Sequence, residues 1–325
     1  MSFYHPSLCF PHSSSSTSLG YILNICEFEN QLFISGINRS SNYLAMLDMA
    51  TLSLVSSFGD VHDGTLTDMC ILDSNVICTS SRDGSFKLFD IRNKNCVLSG
   101  RTTKEIASIS SHKSILAVSN DCNVMLYDIR RNQYIHEYLD IHSQSVSKLK
   151  MLDSQLISAG EDGIINILEF NHEDPLLTIN TGSDGIRSVN VIDKHIYSYT
   201  STECMHIHDM QGSVVMDACT LFRDSPMVED HGSVGYIIDN TNDMVLCGSS
   251  SGNILLLDMH ANIKYGFSKH HTEVVRCGVV KEGYVITGAE DGQVILWKTG
   301  QEDKVSATGD KGKKTDRVTT SSRPY

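Results

Sequence analysis

The chain has 325 residues, a length that fits either two average domains or one closed β architecture. Its 26 Lys and Arg against 39 Asp and Glu give a formal net charge of −13, which repels a phosphate backbone and disfavours direct nucleic-acid binding by the body of the protein. The sequence shows no secretory signal and no apolar stretch of the ~20 residues needed to cross a bilayer. We expect a protein of the cytoplasm or nucleus that is not secreted and does not enter a membrane.

The chain begins with a polar low-complexity patch at residues 12–18 and ends with a mildly basic segment at residues 301–325. The end segment holds six Lys and Arg against four Asp and Glu, and it lacks the apolar periodicity of a folded unit. We therefore predict a single domain over residues 1–300 and a flexible tail over residues 301–325. Residues 311–314 could be a nuclear import signal, although a solubilising tail is the favoured interpretation.

Between these ends, one unit is repeated seven times. Each unit closes a short strand on an aromatic or aliphatic residue that is followed by a polar one. These polar residues are 38 to 49 positions apart: Asp48, Asp90, Asp128, Glu169, Asp209, Asp258 and Lys298. A period near 40 residues is typical of a repeat architecture.

The turns within the repeat indicate β-hairpins. Asp83-Gly84, Asp162-Gly163 and Asp291-Gly292 each lie between two apolar stretches, and both residues of such a turn tolerate positive φ. No stretch of 12 or more residues has convincing helical periodicity. The sequence therefore predicts an all-β protein. The first repeat is the hardest to align, and we interpret residues 36–42 as an enlarged turn.

The repeat resembles that of the WD-repeat β-propellers. Their unit has a His near its start, a Ser or Thr in the second strand, an Asp in the next turn and a Trp that closes the third strand. The last repeat holds all four, and the second and fourth lack only the Trp: His271, Thr287, Asp291 and Trp297; His62, Thr79 and Asp83; His142, Ser158 and Asp162. A closer resemblance within the family lies in residues 231–239, 271–276 and 288–298.

This resemblance implies a seven-bladed propeller in which each blade is a four-stranded antiparallel sheet. It also implies that the His, Ser or Thr, Asp and Trp form a structural tetrad, since buried polar groups must be paired. The residues beyond Trp297 are too polar for a good outer strand. We therefore predict that an N-terminal strand within residues 2–10 closes the ring and removes an exposed edge.

The resemblance further implies a non-catalytic scaffold that binds a protein or peptide within a larger complex and is monomeric by itself. In this family, the residue before the turn Asp and one near the start of the innermost strand face the narrower rim. The charged residues that we predict to contact the partner are Arg82, Glu161, Arg187, Arg276 and Glu290. Uncharged residues at equivalent positions are Asn120, Ser201, Ser250, Thr67 and Ser147. Arg and Glu in alternation suit a peptide of mixed charge, and an ordinary solvated rim is the alternative.

Other motifs are weaker. Residues 248–252 match G-x-S-x-G, but the hydrolase motif needs a following helix and a strand follows here. His206 and His208 share a strand face and could bind zinc with Cys204, but a zinc site needs three or four ligands.

We predict no catalytic residue, no metal and no cofactor. Two alternatives stay open: a nuclear or ribosome-assembly factor that contacts RNA through the rim and basic tail, and a propeller hydrolase. An extra loop at residues 217–230 is either a recognition loop or a tolerated insertion.

Overall fold

A computed structural model describes the chain in twelve segments: residues 2–3, 6–10, 20–38, 41–59, 61–170, 172–182, 185–202, 204–217, 234–241, 243–260, 262–267 and 270–298. The predicted tail at residues 301–325, and the predicted loop at residues 217–230 apart from Asp217, lie outside these segments. The described residues form 29 strands and no helix, so none of their segments could cross a membrane as an apolar helix.

The strands follow one another in groups of four along most of the chain. The first half contains β1 (Ser2–Phe3), β2 (Pro6–Phe10), β3 (Tyr21–Phe28), β4 (Gln31–Asn38), β5 (Ser41–Asp48), β6 (Leu54–Phe58), β7 (Leu66–Asp73), β8 (Val76–Ser81), β9 (Ser85–Asp90), β10 (Cys96–Arg101), β11 (Ile109–His112), β12 (Ile115–Asn120), β13 (Asn123–Asp128) and β14 (Gln133–Tyr138). The second half contains β15 (Val146–Met151), β16 (Gln155–Gly160), β17 (Ile164–Glu169), β18 (Leu177–Asn180), β19 (Ile186–Ile192), β20 (His195–Thr200), β21 (Met205–Asp209), β22 (Val214–Asp217), β23 (Val234–Asn240), β24 (Met244–Ser249), β25 (Ile254–Asp258), β26 (Ile263–Phe267), β27 (Val275–Lys281), β28 (Tyr284–Ala289) and β29 (Val294–Lys298).

Seven sheets result, and each is one blade. Strands β3 to β6 form blade 1, β7 to β10 blade 2, β11 to β14 blade 3, β15 to β18 blade 4, β19 to β22 blade 5, and β23 to β26 blade 6. Blade 7 combines β27, β28 and β29 with β2. Neighbouring strands within each four-stranded unit are antiparallel. The prediction of an all-β, seven-bladed propeller is confirmed.

The N-terminal segment closes the ring. Strand β2 pairs antiparallel with β29, with Pro6 opposite Trp297 and Phe10 opposite Val294. Strand β1 adds to the outer edge of blade 6 by pairing parallel with β26. One short segment therefore covers the outer edges of two neighbouring blades, which would otherwise offer unpaired backbone groups to other chains.

The core is divided among the junctions between blades. The described segments hold seven apolar clusters, and each joins residues of two neighbouring blades. The cluster between blades 7 and 1, for example, packs Ile22 and Leu32 against Ile286 and Leu296. The second and third strands of a blade bury both faces in this way, which explains why they are continuous apolar runs in the sequence.

The interpretation of residues 36–42 as an enlarged turn is wrong. Strands β4 and β5 continue to the pair Asn38 and Ser41, so only two residues connect them. Gly36 lies inside the hairpin opposite Tyr43. A Cβ atom on Gly36 would lie 2.5 Å from the Tyr43 hydroxyl oxygen and 1.9 Å from the Tyr21 carbonyl oxygen. Glycine is therefore present because other groups approach its backbone closely, not because the chain turns there.

Candidate functional site

The predicted tetrad residues of blade 7 form one buried chain of hydrogen bonds. The Trp297 indole nitrogen lies 2.9 Å from the Thr287 hydroxyl, which lies 2.9 Å from Nε2 of His271. Nδ1 of His271 lies 3.0 Å from an Asp291 oxygen. An indole N–H only donates and a carboxylate only accepts. Trp297 therefore donates to Thr287, Thr287 to His271, and His271 to Asp291.

The carboxylate at the end of this chain also holds the turn at the top of the blade. Asp291 accepts the backbone N–H of Thr272 at 2.9 Å and that of Gln293 at 2.9 Å. Burial by itself would raise the pKa of the Asp291 carboxyl, but the hydrogen bonds from His271 and the backbone lower it below its ordinary value. The tetrad thus joins the loop before β27 to β28 and β29.

Blade 4 repeats this arrangement without a Trp. His142 contacts Ser158 at 2.9 Å and Asp162 at 3.0 Å. Asn166 lies beside the ring and donates to the Ile141 carbonyl at 2.7 Å. Burial lowers the pKa of His142, although Asp162 acts in the opposite direction. Burial inside the blade therefore favours the neutral imidazole.

In blade 2, a serine stands between the His and the Asp. His62 contacts Thr79 at 2.9 Å and the Ser85 hydroxyl at 2.8 Å, and Ser85 donates to Asp83 at 2.5 Å. The direct distance from His62 to Asp83 is 3.6 Å. Burial lowers the pKa of His62 to about 4. The sequence did not indicate Ser85, because the position two residues after the turn Asp is not part of the repeat motif.

Blade 5 holds the two histidines that were considered as zinc ligands. His206 and His208 are both buried, with ring centroids 6.3 Å apart. Nδ1 of His208 has no hydrogen-bond partner in the described part of the chain. No group of three or more His, Cys, Asp or Glu in the described segments is arranged to hold a metal ion.

A cavity of about 740 Å³ opens at the end of the central channel where the inner strands begin. We call it the mouth. It is lined by residues from blades 1, 2, 3, 4 and 7, and the lining residues with a charge are Arg82, Lys104, Glu105, Asp121, Glu161, Arg276 and Glu290. Four of the five predicted rim residues are therefore brought together here: Arg82, Glu161, Arg276 and Glu290.

The other rim predictions are placed differently. Arg187, at the start of β19 in blade 5, does not line the mouth, whereas Thr67 does. Asn120 is buried and turned inward, where its side-chain oxygen accepts the Lys104 backbone N–H at 3.1 Å. The loop held in this way presents Lys104 and Glu105, which the sequence did not indicate because this loop lies between two repeats.

The charged residues of the mouth differ in how they are paired. Arg276 forms an ion pair with Glu290, and its Nε atom lies 2.5 Å from the Glu290 carboxylate. Asp121 accepts the Ser145 hydroxyl at 2.9 Å. By contrast, Arg82, Lys104, Glu105 and Glu161 have no side-chain partner among the described residues. Two cationic and two anionic side chains are thus available to a ligand.

Just below the mouth, an ionic network links three blades. The Lys148 ammonium lies 2.8 and 2.9 Å from the two oxygens of Asp68, which is 80 residues earlier in the chain. Asp68 also accepts the Ser108 hydroxyl at 2.6 Å. Ser108 in turn accepts the backbone N–H of Leu149 at 3.1 Å. Blades 2, 3 and 4 are therefore bonded to one another through side chains on β7 and β15 and through Ser108, which immediately precedes β11.

Further along the channel are two more ionisable groups that the sequence did not indicate. Asp239 on β23 accepts the Val280 backbone N–H at 3.0 Å, and burial raises its pKa. Burial lowers the pKa of Lys150 on β15, with repulsion from Lys148 acting in the same direction. Asp239 thus joins the inner strands of blades 6 and 7.

No family model matches the chain, but comparison with curated proteins finds WD-repeat relatives. A WD repeat-containing protein 89 homolog from Dictyostelium discoideum is 22% identical over 90% of this chain and 87% of its own length. The APC/C activator protein CDH1 from Saccharomyces cerevisiae is 22% identical over 70% of this chain and 41% of its own length. The closer resemblance predicted from residues 231–239, 271–276 and 288–298 is to WD repeat-containing protein 89, and the Dictyostelium relative agrees with it.

One solved structure has a similar fold. The crystal structure of the computationally designed Ika8 protein aligns with a TM-score of 0.68 and 17% sequence identity, over 86% of this chain and 96% of that one. At this identity the likeness concerns the fold alone. The chain is thus a seven-bladed propeller whose curated relatives are WD-repeat proteins.

Proposed function

From a seven-bladed propeller related to WD-repeat proteins, we propose a non-catalytic scaffold that binds a protein or peptide at the mouth of its channel. The observation that carries this proposal is the cavity of about 740 Å³, which is lined by charged side chains of both signs. Its volume falls within the range of about 300 to 1,000 Å³ that is usual for ligand sites. Four of its charged side chains have no partner among the described residues.

The charges of the mouth favour a protein partner over RNA. Three basic side chains, Arg82, Lys104 and Arg276, are interspersed with four acidic ones in the lining. A phosphate backbone requires a basic track and would be repelled by the carboxylates, whereas a polypeptide can present both signs. One relative is named as a WD repeat-containing protein and another as an APC/C activator protein, which also favours a role in protein interaction.

The tetrads support the proposal indirectly. Their histidines are buried and hydrogen-bonded on both ring nitrogens in blades 2, 4 and 7. They fix the turns that carry the residues of the mouth, since Arg82, Glu161 and Glu290 each immediately precede a tetrad Asp. A binding surface on a rigid support loses little conformational entropy when a partner binds.

The proposal can be tested by blocking the mouth. Ala107 is exposed and lines the cavity, so Ala107→Trp should fill it. The matched control is Ala50→Trp, in an exposed turn next to Asp48 at the opposite end of the strands. Tagged wild-type protein and both variants are purified from cells, and the copurified proteins are identified by mass spectrometry. We expect Ala107→Trp alone to lose its partners at an unchanged thermal midpoint. Partners retained equally by both variants would show that the mouth is not the binding site.

A further inference from the structure

We propose that the partner segment places an acidic side chain against Arg82 and Lys104 and a basic side chain against Glu161, two blades further round the mouth. This inference rests on the proposed function and specifies the chemistry of the ligand. It follows from three observations: the equivalence of the rim positions, the pairing of their charges, and the bonds that hold the three blades concerned.

The rim positions are equivalent because the backbone fixes them in the same way in each blade. The amide of Arg82 donates to the Thr65 carbonyl at 3.0 Å, and that of Glu161 to the Ser145 carbonyl at 2.9 Å. The Glu290 amide makes the same bond to Val274 at 2.9 Å. Arg82, Glu161 and Glu290 therefore occupy one structural position in blades 2, 4 and 7, and they differ only in the side chain.

The pairing of the charges gives the mouth a direction. At blade 7, Glu290 is neutralised by Arg276. At blade 2, Arg82 and the nearby Lys104 are both exposed, and neither has a side-chain partner in the described segments. At blade 4, Glu161 is exposed and equally without a partner there. The available charge is therefore positive at Arg82 in blade 2 and negative at Glu161 in blade 4. Glu105, next to Lys104, lies in the loop between β10 and β11.

The two ends of this gradient are held in position. The turn under Arg82 is fixed by Asp83, which accepts the backbone N–H of Asp63 at 3.0 Å. The turn under Glu161 is fixed by Asp162, which accepts the backbone N–H of Ser143 at 2.8 Å. Below them, the bonds from Asp68 to Lys148 and to Ser108 join the same blades 2, 3 and 4. Arg82 and Glu161 therefore keep a fixed separation in the absence of a partner. A fixed separation is needed to recognise a ligand with two opposite charges at a constant spacing.

A charge-swap experiment tests this polarity. A random peptide library is selected against the purified full chain, and the affinities of the selected peptides are measured for wild type, Arg82→Glu, Glu161→Arg and the double variant. The double variant keeps the net charge of the wild type, so a change in its preference cannot arise from the overall field. The control is the double variant Arg101→Glu with Glu282→Arg. It makes the same two types of charge change at exposed positions that do not line the mouth.

We expect wild type to select peptides with an acidic residue and a basic residue at a constant spacing. Each single variant should bind them about ten- to a hundredfold more weakly, the usual effect of losing a charge-assisted contact. The double variant should prefer the same peptides with the two charged residues exchanged, and the control should behave as wild type.

Two failures can be told apart. If Ala107→Trp abolishes binding but neither charge change affects it, the mouth binds peptides and the proposed polarity is wrong. If Ala107→Trp has no effect on binding, the mouth itself is not the site and both proposals fail. A library that yields no binder at all also contradicts both.

Discussion

The ionic network below the mouth should contribute measurably to the stability of the ring. The Asp68 side chain, 8% exposed, binds three groups from other blades: the Lys148 ammonium, the Ser108 hydroxyl and the Ile109 backbone N–H. Asp68→Ala leaves two buried donors unsatisfied, at about 1 kcal/mol each, and an ammonium without its counter-ion. Lys148 is 33% exposed, so water replaces part of the lost ion pair and its share is also about 1 kcal/mol. We expect a loss of about 3 kcal/mol in the free energy of unfolding.

The assay uses a probe far from the substitution. Trp297 is the single tryptophan of the chain and is buried in blade 7, whereas Asp68 lies in blade 2. Urea unfolding followed by Trp297 fluorescence should show the whole loss if the ring unfolds as one unit. Asp63→Ala, at an exposed position of the same blade, is the control and should change the free energy by no more than about 0.5 kcal/mol.

A double-mutant cycle separates the ion pair from the other contacts. Lys148→Ala alone should cost about 1 kcal/mol, and it should cost less in the Asp68→Ala background, where its partner is already absent. The reasoning would be refuted by a loss below about 1 kcal/mol for Asp68→Ala, or by strict additivity of the two substitutions.

Three further outcomes follow from the blades. The pKa of His62 is lowered from 6.5 to about 4, so between these pH values the unfolded chain binds a proton that the folded chain does not. The contribution of neutral His62 to stability is therefore fully present above pH 6.5 and is lost as pH falls from 6.5 to 4. Urea midpoints measured at pH 7 and pH 5 should therefore differ less in His62→Asn than in wild type, and an equal difference would contradict this. Trp297→Phe removes the donor to Thr287 and part of a fully buried side chain, and should cost about 2 kcal/mol by circular dichroism; a loss within error would show that the hydrogen bond is not needed. Deletion of residues 2–10 exposes the edge of β29 and should cause aggregation seen by light scattering, which a synthetic peptide of that sequence reverses. A deletion variant that stays monomeric would contradict the role of β2 in closing the ring.

Much of the fold could be predicted because its signals are local. A period near 40 residues and the Asp-Gly turns are visible in the sequence alone, and the four-stranded units of blades 1 to 6 are each built from consecutive segments of the chain. The misreading of residues 36–42 has an equally local cause. Glycine is used both where the backbone turns and where another group approaches it, and only the position of Tyr43 distinguishes the two cases.

The candidate site could be predicted only in part. The repeat motif led to Arg82, Glu161, Arg276 and Glu290, because these positions follow from the register of each blade. It did not lead to Lys104, whose loop is held by the inward-turned Asn120. Contacts between blades that are not neighbours, such as the one from Asp68 to Lys148, depend on the curvature of the closed ring, and no repeat-based alignment contains that information.

The pairing of β2 with β29 also sets the order in which the molecule can be completed. Residues 6–10 leave the ribosome long before residues 294–298, so during synthesis they have no strand to join. Six blades can fold in turn as the chain emerges. The seventh is completed only when β2, which was synthesised first, pairs with β29, which is synthesised about 290 residues later. Anything fused or bound close to that strand would therefore interfere with the last step of maturation and leave the earlier ones untouched.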